Sequence, residues 1–382
     1  MKDAARTFVD IHGRTLLFSC DDFVDRICKG GACFVCGASP SETTFNDEHI
    51  VPRWVLRRFG LFDKSITLPG GERRRYGGYR VQCCASCNTL LGERVETPVS
   101  ELLSGEFDQV SARMQSEDAV ELVFIWLALL FLKVHLKDGA VPIHKDRRQG
   151  THVIGDLYDW AELHHVHAIA RARYTGAALL PFVVGSIFFV EVDDRGGGGW
   201  DFVDLTFAHT IAVRLGRVGI VAVLNDAGAA GSAWSHRLSS ISAPISGAQF
   251  RELAAMFAVA NDDILERPTF GTLILESRWV TIFARVPAKL TMADFDPRKF
   301  GAALQFALGN VINSIAVDGS RDPDYVRERI ASGEVRFLID ENGNFRPGSA
   351  VWTPSDGGGA EGDLGGQGSG ADGPPGSPPS RG

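Results

Sequence analysis

Two cysteine pairs constrain this chain more than any other feature: Cys33-x-x-Cys36 and Cys84-x-x-Cys87. A turn with C-x-x-C spacing offers two sulfurs to one side of a cation. Two such turns brought together by folding complete the tetrahedral four-thiolate set that a structural zinc ion prefers. The 47 residues between the pairs exceed the ~15 to 20 of a simple zinc ribbon, so a unit is inserted between the two knuckles. Cys20, Cys28 and Cys83 are left over and read as buried free thiols. Cys83 adjoins the second pair, but the register Cys84-x-x-Cys87 makes a knuckle and Cys83-x-x-x-Cys87 does not. Seven cysteines, four of them in metal-spaced pairs, point to metal ligation in a reducing compartment, and so to a cytoplasmic protein, rather than to disulfides. Met1 to Arg6 lacks the apolar stretch of a signal peptide.

The insert holds Glu48-His49-Ile50-Val51-Pro52, and the second pair runs on as Cys87-Asn88 to Gly92-Glu93-Arg94-Val95-Glu96. A carboxylate beside an imidazole supplies an oxygen ligand for a hard cation and a base that titrates near neutrality, which is the equipment of metal-assisted hydrolysis. In this order the elements resemble the HNH endonuclease superfamily, specifically its four-cysteine branch with a Glu-His-x-x-Pro core and a Cys-Asn-x-x-x-Gly ending. The resemblance covers about residues 30–97 and says nothing of the remainder.

The resemblance implies a ββα-metal, treble-clef-like module in which a β-hairpin and a helix grip a catalytic Mg²⁺ or Mn²⁺. His49 would be the general base for an attacking water, with Glu48 and Asn88 as ligands of that cation. Cys33, Cys36, Cys84 and Cys87 would hold the structural zinc and take no part in the chemistry. Two departures stand out: no Asn lies between His49 and Asn88, and no His follows Asn88 until His135. The residue that would orient His49 is therefore missing from the pattern, and a backbone carbonyl is the simplest replacement. Glu93 or Glu96 is available to complete the metal shell or to be solvated.

The formal charge is −8, so any nucleic-acid contact must be local. Between Arg53 and Arg80 the balance reverses to +6, through Arg53, Arg57, Arg58, Lys64, Arg73, Arg74, Arg75 and Arg80 against Asp63 and Glu72. Beside a nuclease-like core, Arg53, Arg57, Arg73, Arg74, Arg75 and Arg80 read as a phosphate-binding surface for DNA. The Gly70-Gly71 and Gly77-Gly78 flanks also suit an exposed, merely solvated hairpin.

Elsewhere, residues 7–18 read as a strand pair turned at Gly13, with Ser19 as an N-cap. Ser116 starts a helix to about Gly139 whose 11-residue apolar centre, Leu122 to Leu132, is short of the ~18 residues of a membrane span, so it is a buried central helix. A helix over 156–174 carries His164, His165 and His167, whose spacing does not bring all three to one face for a metal. His135 reads as a satisfied core histidine. Strands over 182–192, 200–207, 210–215 and 218–224 suggest an antiparallel meander, with Gly196 to Gly199 as a hairpin turn. Helices near 247–260, 296–312 and 322–332 and strands near 272–286 and 335–339 follow. In Pro354 to Gly382, 16 of 29 residues are Gly or Pro, a composition that cannot bury enough surface to order itself.

The expected architecture is α+β: a zinc-stabilised module over 1–99, a larger α+β domain over 100–345 with helices and an antiparallel sheet, and a disordered tail over 346–382. The expected activity is phosphodiester hydrolysis, and a restriction or defence role fits such a layout only by analogy. The alternative from another class is a zinc-stabilised module that binds nucleic acid or protein without turnover. The second domain offers a surface for a protein partner.

Overall fold

The computed structural model describes residues 6–68, 71–144, 146, 148, 150–193, 199–276, 279–340 and 343–347. The chain opens with a hairpin of β1 (Phe8–Val9) and β2 (Thr15–Leu17), turned at Gly13 with φ +79°. Ser19 Oγ accepts from Asp22 N at 3.1 Å and starts α1 (Cys20–Asp22), which runs on as a π-helical stretch to Cys28. After the first cysteine turn come β3 (Glu48–His49), α2 (Arg53–Arg58) and a hairpin of β4 (Ser65–Thr67) with β5 (Arg73–Arg75). β6 (Arg80–Val81) returns to pair antiparallel with β3, and α3 (Ala85–Leu91) follows with the second cysteine pair. A π-helical stretch, 92–96, leads into α4 (Thr97–Leu102), and α5 (Phe107–Arg113) follows.

α6 (Glu117–Asp138) is apolar around its whole circumference, the mark of a helix surrounded by protein. It is long and apolar enough to cross a bilayer, but 78% of that stretch is buried inside the fold. Val123 to Leu132 are all at 1% exposure or less, and at about 1.5–3 kcal/mol for each large aliphatic or aromatic side chain buried this helix anchors the core. Gly139 ends it against Trp160, whose ring would lie 2.8 Å from any added Cβ.

The helix expected over 156–174 is broken. Two 3₁₀ turns, 154–157 and 160–163, precede α7 (His164–Ala170) and α8 (Ala172–Thr175), and Gly176 stops the run with φ +74°. β7 (Ala178–Leu179) comes next. The main sheet contains β8 (Ile187–Glu191), β9 (Trp200–Leu205), β10 (Thr210–Leu215) and β11 (Val218–Val223), all antiparallel, in the order β8-β11-β10-β9. It is therefore a Greek-key arrangement and not a simple meander. β8 and β9 stand at opposite edges, so the glycine-rich connection between them is a crossover and not the hairpin turn its composition suggests; residues 194–198 lie outside the described set.

α9 (Ala229–Leu238), α10 (Gly247–Asp262), β12 (Thr269–Leu275), β13 (Trp279–Arg285), α11 (Pro297–Leu308) and α12 (Pro323–Ala331) complete the fold. β12 and β13 form a hairpin, to which β7 adds in parallel, where the sequence suggests one long strand. Residues 335–339 form no continuous strand; only Ile339 bridges antiparallel to Phe345. The amides of Phe337 and Leu338 donate instead to the Glu252 carboxylate at 2.6 and 2.8 Å. The tail lies, from residue 348 on, outside the described residues.

Alternation along the main sheet separates two cores. Ile211, Val213 and Leu215 of β10 and Ile220 and Ala222 of β11 face the first, with α6, α7 and the whole cysteine-containing part. Ala212, Val221 and Val223 face the second, with α10, α11 and α12. The first core runs from Leu16 to Ile282 and crosses residue 99 without a break.

Candidate functional site

The first cysteine turn closes with Gly37 N donating to Cys33 O at 2.8 Å and Cys33 N to Ala38 O at 2.9 Å. Gly37 has φ +78° and faces the Phe18 ring, which would lie 2.6 Å from an added Cβ, so only glycine fits. In the second pair Cys84 is the N-cap of α3 and Cys87 lies in its first turn, with Asn88 N donating to Cys84 O at 3.0 Å. The thiol sulfurs of Cys33, Cys36, Cys84 and Cys87 all lie within 4.8 Å of one another. Cys36 Sγ is 3.7 Å from Cys84 Sγ, close to the edge of about 3.8 Å of a tetrahedron with Zn–S of ~2.3 Å. The set thus fits one zinc ion.

The clustered thiols perturb one another strongly. Hydrogen bonding with Cys36, Cys83 and Cys87 lowers the Cys33 pKa, and Cys33 in turn pushes Cys36 up to about 12 and raises Cys87. Four thiolates this close together need a cation among them. Cys83, buried and 3.9 Å from Cys33 Sγ, raised by Cys33 and by burial, stays outside the mutually close set.

The first knuckle is gripped from behind by α7 and the start of α8. His167 Nε2–H donates to Phe34 O at 2.8 Å, and Arg171 donates through Nε to Val35 O at 2.5 Å and through Nη2 to Thr15 O at 2.6 Å. His164 meets Phe18 O at 2.8 Å, and His165 stacks on Phe270 with ring centroids 3.7 Å apart. The three imidazoles serve three different neighbours.

β3 carries Glu48 and His49 past β6, with Glu48 opposite Val81 and His49 opposite Arg80. The ladder extends through Ile50 N to Tyr79 O at 3.1 Å and Asn46 N to Cys83 O at 3.1 Å, which ties the strand to the second knuckle. Asn88 Nδ2 donates to Asn46 Oδ1 at 2.8 Å and to Asp47 O at 3.4 Å. Asn88 is thus brought to the residues immediately before Glu48.

Both side chains are buried, at 4% and 8% exposure. Glu48 Oε1 accepts from Lys133 Nζ at 3.0 Å, and the same ammonium reaches His49 O at 2.8 Å and Glu96 Oε1 at 3.3 Å. Burial works to lower the Lys133 pKa, but Glu48 and Glu96 outweigh it and raise it. Glu96 is pushed up to about 7 by burial and by Glu48, against the pull of Lys133. Glu96, suggested as a metal-shell residue, is therefore engaged with Lys133, whereas Glu93 is exposed.

The His49 ring packs edge-on against Phe62, with centroids 6.2 Å apart, and its Nε2 is buried without a hydrogen-bond partner. No backbone carbonyl holds it among the described residues. Burial first, then Arg80, with smaller contributions from Arg53 and Lys133 against Glu48, lowers its pKa. The lowering favours the neutral form, the state in which an imidazole accepts a proton.

Arg53, Arg57 and Arg80 are exposed. Arg73, Arg74 and Arg75 form β5 itself, paired with β4. Arg74 pairs with Glu72 at 2.8 Å and Arg75 with Asp63 at 3.4 Å, solvated contacts of small individual worth. Arg58 is turned to Leu103 O at 2.9 Å.

Sequence reasoning missed Lys133 and Asn46. A single lysine at the end of an eleven-residue apolar run was the available signal for the first; nothing in the local pattern marks the second. Among the described residues the four cysteines are the only cluster of three or more thiol, imidazole or carboxylate groups close enough to share an ion. Comparison with protein-family models, with curated proteins and with solved structures gives no significant match. What stands is a mixed α+β protein with antiparallel sheets and a four-cysteine site suited to zinc.

Proposed function

We propose that the protein is a metal-dependent endonuclease of the HNH type, with His49 as the general base. The observation that carries this is His49 itself: an imidazole with an unpartnered Nε2, on a strand tied to the four-cysteine site and facing Arg80 across the ladder. In this reading Nε2 takes the proton of a water attacking phosphorus. The Glu48 carboxylate and the side chain of Asn88 would hold a Mg²⁺ or Mn²⁺ ion, which would supply charge stabilisation at the scissile phosphate. The zinc held by Cys33, Cys36, Cys84 and Cys87 fixes the scaffold. Arg53, Arg57, Arg80 and the Arg73–Arg75 strand would neutralise phosphates of DNA.

A second reading rests on the Lys133–Glu48 contact. An ammonium already compensates the carboxylate that a catalytic cation would need, which favours a zinc-stabilised module that binds nucleic acid without cutting it. Supercoiled plasmid incubated with the pure protein and Mg²⁺ or Mn²⁺, with an EDTA control, separates the two. Cleavage that disappears in His49→Ala, with zinc content and fold unchanged, supports the nuclease; the loss expected is ~10² to 10⁴ in rate. Salt-dependent binding without cleavage in either metal establishes the second reading.

A further inference from the structure

A cavity of about 550 Å³ lies in the other half of the molecule, between α9, α10, the start of α11 and residues 336–340. That volume suits a small organic ligand. Its walls include Trp234, Met256, Phe295 and Phe300, and Glu252 of α10 lines it from inside the core at 0% exposure. Glu252 Oε2 accepts from the amides of Phe337 and Leu338, which fixes the carboxylate. Its other oxygen, Oε1, is buried and has no hydrogen-bond partner. Leaving such an oxygen unpaired is costly, and a ligand N–H entering the cavity would satisfy it.

The rim adds the opposite chemistry. Arg237 lies over the Trp234 ring at 4.7 Å, and Arg336 over Phe300 at 4.1 Å. Arg336 is spent on the carbonyls of Gly333 and Val335, at 2.5 and 2.9 Å, whereas the Arg237 guanidinium has no hydrogen-bond partner among the described residues. Of the acids on the same wall, Asp263 is engaged by Lys299 at 2.5 Å and Asp340 accepts from Asn344 N at 2.8 Å. A guanidinium held over an indole keeps N–H groups available for a bidentate anion. The occupant this combination suits is flat enough for aromatic walls, carries an N–H donor, and bears an anionic group.

We propose that this cavity binds a nucleoside monophosphate, its base donating an N–H to Glu252 Oε1 and its phosphate meeting Arg237. The site is separate from the His49 region and does not depend on the nuclease reading.

The test is titration calorimetry of the full chain with AMP, GMP, CMP and UMP, with the matching nucleosides and with inorganic phosphate. At least one monophosphate should bind with micromolar affinity. Glu252→Gln keeps an oxygen for the two amides while turning the free position from acceptor to donor, and should weaken base-containing ligands on the order of tenfold or more. Arg237→Ala should weaken the monophosphate by a similar factor and its nucleoside little. Unfolding curves verify that both variants are folded. Three results would overturn the proposal: no monophosphate binding at millimolar concentration, binding indifferent to both substitutions, or inorganic phosphate binding as tightly as the best nucleotide.

Discussion

Lys133 Nζ lies 3.0 Å from Glu48 Oε1 although 85 residues separate them, and the lysine is 1% exposed at the end of the helix's apolar centre. The contact joins the central helix to the strand that bears His49, and Glu96 closes the group from the far end of the second knuckle.

Removing the ammonium leaves two carboxylates facing each other in the core. Lys133→Met is expected to destabilise the fold by ~3–5 kcal/mol, the usual cost of breaking a buried ion pair from one side. Adding Glu48→Gln and Glu96→Gln to that variant should recover most of the loss. Urea unfolding of the single and combined variants measures this, and a Lys133→Met protein as stable as wild type would show that the pairing contributes little.

Purified protein is expected to hold one zinc ion per chain, because four thiolates in this arrangement form a closed site whose binding energy is folding energy. Cys84→Ser combined with Cys87→Ser should lose the metal and lower the unfolding temperature. Elemental analysis finding no zinc would exclude the site, and full stability of the double variant would show it is not structural.

The Arg73–Arg75 strand is a test of binding apart from chemistry. Replacing all three with Ala should weaken DNA binding about equally for every sequence and flatten log K against log salt by roughly 0.9 for each phosphate no longer neutralised. Since Arg74 and Arg75 already pair with Glu72 and Asp63, the flattening is expected to correspond to fewer than three phosphates. An unchanged slope would make the hairpin a solvated surface.

Glu252 sets a pH dependence of its own. Burial raises its pKa from the ordinary 4.5 to about 7, against the pull of the two backbone amides. Between those values the folded state keeps a proton that the unfolded chain has released, so this group's contribution to stability falls as pH rises from about 4.5 to 7 and is level above that. Glu252→Gln removes the titration. The variant should gain on the wild type across that interval by an amount on the order of 3 kcal/mol, measured by denaturant unfolding at a series of pH values. A stability difference that does not move with pH would place the carboxyl's titration elsewhere.

Much of the local structure was legible because local rules decide it. The Gly13 hairpin, the Ser19 cap, the buried helix from Ser116 and the helix starting at Gly247 all carry their own turn, cap or periodicity signals. Other elements are decided by distant partners. β8 pairs with β11 and not with its neighbour in sequence; between β12 and β13 the sequence reads Glu276-Ser277-Arg278, without the Gly, Pro or Asn that would announce a hairpin; and residues 335–339 give amides to a glutamate some 85 positions away. At the candidate site the four cysteines were readable from spacing alone. Lys133 was not, because its meaning lies in two carboxylates on other elements.

The grip of His167 and Arg171 on the carbonyls of Phe34 and Val35 means that the cysteine-bearing segment is no transplantable cassette. A fragment cut at residue 99 would leave behind both of those anchors, Lys133, and the hydrophobic wall they stand in. Such a fragment should neither hold its shape nor retain metal tightly, and chelation of the intact chain should loosen the central helix and the sheet with it. Swapping this segment onto another protein, or exchanging the larger part beneath it, would require carrying α6 through α8 as well.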